Sequence, residues 1–345
     1  MPLRILLAVA GLLLVLLANA ASAAAPQHWL YFPSRGGEGE TLRATKALSD
    51  PRFVGAQIAY PWRLLEPKAG EYDFSAIRAD LAYLRSQHKQ LWVQLQDKSF
   101  TPQPNVPAYL LSPAYQGGAL KQSMASAPER DPTQPLGSDE YGWVPKMWEP
   151  NVRGRYQALI KALGQEFDGQ IAGINFSESA IDIGTEHRDG TTTWPAGFAP
   201  AQYVAAIEEN MGVLAAAFPQ STAMVYLNFL PGEWLPWDDH GYMRRLFQRA
   251  AELKMGVGGP DLMPYRKAHM QQSYAFLRAY PAELIKALAV QDGNLRQKNP
   301  KTGKRNTVAD NLQFAEQYLG LDYIFWGLEE PYFSREVLPK LPAAK

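Results

Sequence analysis

Eight short apolar runs punctuate this chain, and helix-periodic segments separate them almost without exception. The strand-like runs are His28–Pro33, Phe53–Tyr60, Gln90–Gln96, Ile171–Ser177, Ala223–Leu230, Met255–Gly258, Ala287–Gln291 and Leu321–Trp326. Helical periodicity covers Glu40–Leu48, Phe74–Gln87, Arg153–Phe167, Pro200–Phe218, Tyr242–Lys254, Met270–Ala279 and Thr307–Leu319, with Ser334–Leu341 as a closing helix. In the third helix Tyr156, Leu159, Ile160, Leu163 and Phe167 fall on one face, a stripe suited to packing on a sheet. Alternation of this kind predicts parallel strands joined by helical crossovers, and eight repeats predict an α/β fold of the (β/α)8 TIM-barrel type. The alternative is an open doubly wound sheet, but no Gly-x-Gly-x-x-Gly follows a strand, and no cofactor is expected.

A single barrel domain accounts for residues 25–345. Ahead of it, Arg4 precedes the apolar run Ile5–Leu17 and then Ala-Asn-Ala-Ala-Ser-Ala-Ala-Ala. That is the order of a secretory signal peptide over residues 1–24, with cleavage expected near Ala20–Ala24. The run falls short of the roughly 20 apolar residues that a span requires. A secreted or periplasmic protein with no stable membrane span after cleavage is therefore expected. The absence of cysteine excludes a lipoprotein anchor, a disulfide framework and thiolate chemistry. A formal net charge of zero, with no basic run, argues against nucleic acid as a partner. Histidines 28, 88, 187, 240 and 269 include no pair at metal-ligand spacing, so no metal site is expected.

Barrel chemistry is built where strands end and loops begin, and acids cluster there. Strand four ends "GINFSESA", which sets Glu178 just past the strand beside Asn175 and Ser177. Strand six runs into "GGPDLMPY" with Asp261, strand seven into "VQDGN" with Asp292, and strand eight into "FWGLEEPYF" with Glu329 and Glu330. Strand three ends "VQLQDKSF", offering Gln94, Gln96, Asp97 and Lys98. A helix N-cap or a solvated loop charge is the expectation for Asp97 and Glu330. Glu178 is different, because a lone acid at the end of an apolar strand is poorly placed to cap a helix. Glycosidic cleavage requires two carboxyls flanking one bond, and this rim has them to offer.

Aromatic content points the same way. The chain has nine Trp, and Trp143, Trp148, Trp194, Trp234 and Trp237 fall in Pro- and Gly-rich loops, where exposed rings would stack on apolar sugar faces. The long segment 101–150 breaks the alternation and holds Tyr109, Tyr115, Tyr141, Trp143 and Trp148; it is expected to wall one side of a cleft. A carbohydrate substrate follows, with Gln96, Asn175, Asn228, Asp261 and Glu329 as polar contacts and Trp62 and Trp326 as aromatic ones. Glu178 and Asp292 are the expected catalytic pair, with Asp261 or Glu329 as the alternative second carboxylate. A barrel that binds polysaccharide without cleaving it is the other reading.

One stretch carries a resemblance. "YPWRLLEPKAGEYDFS", followed by a helix and "LWVQLQ", resembles the second βα unit of clan A glycoside hydrolases, in particular the family 42 and family 35 β-galactosidase-like enzymes. The matching residues are Glu66-Pro67, Gly70 and Tyr72-Asp73-Phe74-Ser75, with Trp326 where such enzymes carry a strand-eight aromatic. The resemblance implies a barrel glycosidase in which Glu66 shapes its loop and does not react. It also implies an Asn-Glu pair after strand four and a nucleophilic Glu after strand seven. This chain has Ser177-Glu178 and Gln291-Asp292 at those places.

Overall fold

The computed structural model describes residues 25–33, 42–123, 141–187, 190–291 and 293–343. The signal-like segment 1–24, part of the long loop (124–140) and Asp292 lie outside the described residues. Eight strands close into a barrel: β1 (Gln27–Phe32), β2 (Phe53–Pro61), β3 (Gln90–Gln96), β4 (Gly173–Phe176), β5 (Thr222–Tyr226), β6 (Gly256–Gly259), β7 (Lys286–Val290) and β8 (Tyr323–Gly327). Every neighbouring pair is parallel, and β8 returns to β1 with Gln27 opposite Tyr323 and Tyr31 opposite Gly327. The strands match the apolar runs of the sequence to within a few residues. Two hairpins stand outside the barrel, Ala119–Ser123 with Tyr141–Pro145 and Thr185–Glu186 with Thr192–Thr193.

The main helices are α1 (Ser75–Ser86), α2 (Pro150–Phe167), α3 (Pro200–Ala217) and α4 (Tyr242–Glu252). Pro150 and Pro200 open α2 and α3 at the first position, where a missing N–H removes no intrahelical bond. The apolar face of α2 is buried as expected, from Val152 through Phe167. The helix expected over Glu40–Leu48 does not form in its described part, which holds turns and a short 3-10 segment at Ala47–Ser49. Leu42, Ala47 and Leu48 are buried there, so their spacing marks the anchor points of a turn.

The lumen is filled by side chains from β1, β3, β5, β7 and β8, a packed interior as expected of this barrel type. Trp29, Tyr31, Trp92, Met224, Tyr226, Ala287, Ala289 and Phe325 form one enclosed cluster. These rings need space, and glycines on β2, β4 and β6 supply it. A Cβ at Gly55 would stand 2.6 Å from the Trp29 ring, one at Gly173 2.7 Å from Trp92, and one at Gly258 2.9 Å from Tyr226. Buried polar groups pair within the same lumen. Asn175 Oδ1 accepts from Gln57 Nε2 at 2.9 Å and from the Trp92 indole N–H at 2.8 Å, and Gln57 Nε2 also reaches Tyr226 Oη at 2.9 Å.

Alternation along β8 decides the place of Trp326. With Phe325 inside the lumen, Trp326 points outward into the layer between strands and helices, fully buried. Its indole N–H donates to His28 Nδ1 at 3.2 Å, and burial pushes the His28 imidazole down to about 4, so it accepts as the neutral ring. The expectation that Trp326 would line the mouth of the barrel beside the acids is corrected by this parity. Gly55 carries the fold's prediction. Its Cβ would also meet the Gln90 carbonyl oxygen at 2.1 Å, a backbone atom that cannot rotate away. Gly55→Ala is expected to lower unfolding free energy by about 3 kcal/mol, read from urea denaturation midpoints.

Candidate functional site

The loop after β2 is fixed from within. Glu66 is fully buried, and its carboxylate accepts the Trp62 indole N–H (2.9 Å), the Gly70 backbone N–H (2.9 Å) and the Arg155 guanidinium of α2. Tyr72 and Tyr109 hydroxyls lie 3.5 and 3.3 Å from the same guanidinium. Glu66 therefore ties the β2 loop to a helix that begins some 80 residues later, which is the shaping role expected of it. Trp62 is buried against Tyr156, at 5.0 Å between ring centroids, so its indole packs inside this anchor.

At the end of β3 the expectation for Asp97 fails. Asp97 is a buried charge: it accepts from Ser177 Oγ, and Lys98 Nζ lies 3.4 Å from it and 3.3 Å from Ser177 Oγ. Burial by itself would lower the Lys98 ammonium's pKa. Asp97, Tyr203 and Glu178 outweigh that penalty, and the net direction is upward, so Lys98 stays charged. Gln96 stands beside this pair, its amide bonded to Gln94 (3.2 Å) and to the Lys98 carbonyl (3.1 Å). Glu330 meets its expectation, capping the closing helical turn through Ser334 Oγ at 2.6 Å.

Glu178 sits at the mouth of β4, the strand paired with β3, whose end carries Lys98. Its Oε2 accepts from Asn228 Nδ2 at 2.5 Å. The Asn228 amide is held at its other end as well, where Oδ1 accepts the Ala180 N–H at 3.0 Å. Ser179 Oγ accepts the Asn228 backbone N–H (3.1 Å), and Tyr203 Oη donates to the Ser179 carbonyl (3.0 Å). Behind the acid lies a cavity of about 30 Å3, lined among others by Lys98, Tyr156, Ser177, Tyr203 and Asn210. Burial and the nearby negative charge of Asp261 push the Glu178 carboxyl up to about 7, against the opposing pull of Asn228 and Lys98.

Asp261 faces this group from the end of β6. Asn294 Nδ2 donates to its Oδ1 at 2.9 Å, and His269 Nε2 lies 3.5 Å from its Oδ2. Glu329, at the end of β8, is engaged with the β7 loop: it accepts the Gly293 N–H at 3.0 Å and pairs with Arg296 at 3.1 Å. Asn175 lies below the mouth, buried in the lumen network described above. The structure thus brings Glu178, Asn228 and Asp261 together, with Gln96 on the same rim. Trp62, Asn175 and Trp326 are enclosed in packing. Lys98, His269 and Asn294 are site members that sequence reasoning did not assign. The long loop contributes Met147 to the cavity lining, and its hairpin is tied to the β4 loop by the Ser123 N–H on the Asp182 carbonyl at 2.8 Å. Trp148, expected as a sugar platform, is buried against Phe198.

No protein-family model matches the chain, and no curated protein matches it in sequence. Solved structures do. The chain is similar to the catalytic domain of a β-amylase from Paenibacillus polymyxa, at TM-score 0.57 and 9% identity, over 93% of this chain and 100% of that one. It is also similar to xylanase 10B from Thermotoga petrophila RKU-1, solved with xylobiose, at TM-score 0.50 and 10% identity, over 90% of this chain and 86% of that one. At such identities the likeness establishes the barrel fold.

The raised Glu178 has a thermodynamic signature. Its pKa of about 7 in the folded chain stands above the ordinary value of 4.5, so between these limits the folded chain holds the proton and the unfolded chain releases it. Stability therefore falls as pH rises from about 4.5 to 7. Glu178→Gln, neutral throughout, should lose this slope and unfold at higher denaturant at pH 8, by on the order of 2 kcal/mol given partial solvation of the carboxyl. Lys98→Met should act oppositely. It strips Asp97 of a buried counter-charge, costing about 3 kcal/mol. It should also move the Glu178 midpoint further up, as followed by carboxyl-carbon NMR titration.

Proposed function

We propose that the chain is an exported glycoside hydrolase of the clan A type, with Glu178 as general acid. The observation that carries this reading is a carboxyl held protonated near neutral pH at the C-terminal mouth of a (β/α)8 barrel, facing a second carboxylate. Oε2 of Glu178 is occupied by the Asn228 N–H, so the proton belongs on Oε1, free to pass to a leaving glycosidic oxygen. Asp261 is the second carboxylate favoured by this geometry, because its charge reaches Glu178 and its two anchors hold it in place. Acting directly it forms a glycosyl-enzyme; acting through water it inverts the anomeric centre. Carboxyl separations of about 5–5.5 Å suit the first route and about 6.5–9.5 Å the second. Asp292, the partner expected from the sequence, is the alternative. The fold neighbours named as a β-amylase and a xylanase support a polysaccharide or oligosaccharide substrate, and the segment 1–24 supports export to the periplasm or medium. The assignment to family 42 or 35 rests on the loop that Glu66 organises.

One observation favours a barrel that binds polysaccharide without cleaving it. Gln291 follows β7 where a nucleophilic Glu is the clan A pattern, and its amide donates to the Pro260 carbonyl at 3.0 Å. Incubation of the mature protein with panels of oligosaccharides separates the readings. Hydrolysis is expected, and Glu178→Gln should reduce kcat by about 100- to 10,000-fold with little change in sugar affinity. Asp261→Asn should bring a loss of similar order, and proton NMR of the first product assigns retention or inversion. Full activity in Asp261→Asn together with loss in Asp292→Asn transfers the second role to Asp292. Sugar binding with no turnover establishes the binder.

A further inference from the structure

Of the five loop tryptophans, two are exposed to a large degree: Trp234 at 48% and Trp237 at 66%. Both lie in the loop after β5, the same loop that carries Asn228, the partner of Glu178. Large apolar rings left in water on an otherwise ordered frame mark an interaction surface.

The frame is well built. Trp234 and Asp238 exchange both backbone hydrogen bonds, at 3.1 and 2.9 Å. Between them Leu235 is buried as an anchor. Glu233 is also buried, and its carboxylate accepts the N–H groups of Tyr242 and Met243 at 2.7 Å each, fastening the turn to the start of α4. Stacked on Trp234 is Phe229, with centroids 5.8 Å apart and planes 11° from parallel. Phe229 meets His269 edge-on at 5.0 Å, and His269 in turn contacts Asp261. An aromatic path therefore runs from the exposed Trp234 indole back to Asp261. Polar groups border it: Lys267 Nζ lies 5.6 Å from the Trp237 ring centroid, and Asp238, Asp239 and His240 are exposed beside it.

The geometry points to Trp234 and Trp237 as a stacking platform for pyranose units of a saccharide whose scissile bond lies at Glu178. Sugar rings offer flat C–H faces to an indole and hydroxyls to a charged border, which is the composition found here. Asp238 and Asp239 would repel an anionic lipid surface. The inference rests on the glycosidase reading. It adds that the substrate is a chain of several sugars, because the platform lies beyond the bond to be cleaved.

The test uses the mature protein and ladders of xylo-, malto- and galacto-oligosaccharides from dimer to hexamer. Calorimetric titration of the Glu178→Gln background gives affinity; turnover of the active protein is measured in parallel. For the ladder that binds, Trp234→Ala and Trp237→Ala should each weaken the longest members about 10-fold, or about 1.4 kcal/mol. Dimer affinity and melting temperature should stay unchanged, and Trp237→Phe should recover part of the loss. Undiminished affinity of the double variant for the longest sugars, with hydrolysis intact, overturns the platform and leaves the glycosidase reading standing. Absence of binding and hydrolysis across all ladders overturns both.

Discussion

Close packing of large rings against absent side chains inside the barrel is the constraint from which the site follows. Trp29, Trp92 and Tyr226 come from β1, β3 and β5, and their room is cut out of β2, β4 and β6 by Gly55, Gly173 and Gly258. Interiors of this density have little tolerance for an added methyl group. The packed lumen then serves as a dry floor. Within it Asn175 and Gln57 pair with one another and with the Trp92 indole and the Tyr226 hydroxyl. Strand ends resting on such a floor are held in register, and their acids inherit fixed positions.

Above the floor the decisive balance is electrostatic. Glu178 is subject to five influences of different sign: burial, Asp261 and Asp97 favour the proton, while the Asn228 amide and the Lys98 ammonium oppose it. A carboxyl subject to burial alone would be protonated at all ordinary pH and would give up its proton reluctantly. Lys98 offsets part of that penalty, and Asp97 with Ser177 keeps Lys98 itself charged in a buried place. The result is a group poised near neutrality, where donation and recovery of a proton are both accessible.

The alternation of the fold was legible in the sequence because each barrel strand is buried on both faces and reads as a continuous apolar run. That same property hides parity. "YIFWG" does not say which of Phe325 and Trp326 enters the lumen, and the resemblance pointed to Trp326 as the aromatic of the site. Asp97 was misread because its neutralising partners, Lys98 and Ser177, act through burial, which the spelling "QDKSF" does not disclose. Glu178 was legible from its isolation at a strand end. Of the groups that meet Asp261, His269 lies eight residues on in the same connection and Asn294 comes from the loop after β7, and only folding brings the three together. Among the loop tryptophans the sequence offered no way to separate Trp148, which is core, from Trp234 and Trp237, which are not.

The amide of Asn228 has two nearly identical ends, and on its own nothing would prevent it from turning over. Here the Ala180 N–H selects the oxygen end, so the nitrogen end must face Glu178. A main-chain group thereby determines which carboxyl oxygen is covered and which is open. The handedness of approach to the acid is inherited from the backbone of the β4 and β5 loops. Side-chain replacements elsewhere on the rim can change what is recognised there, while the side from which a proton arrives stays the same.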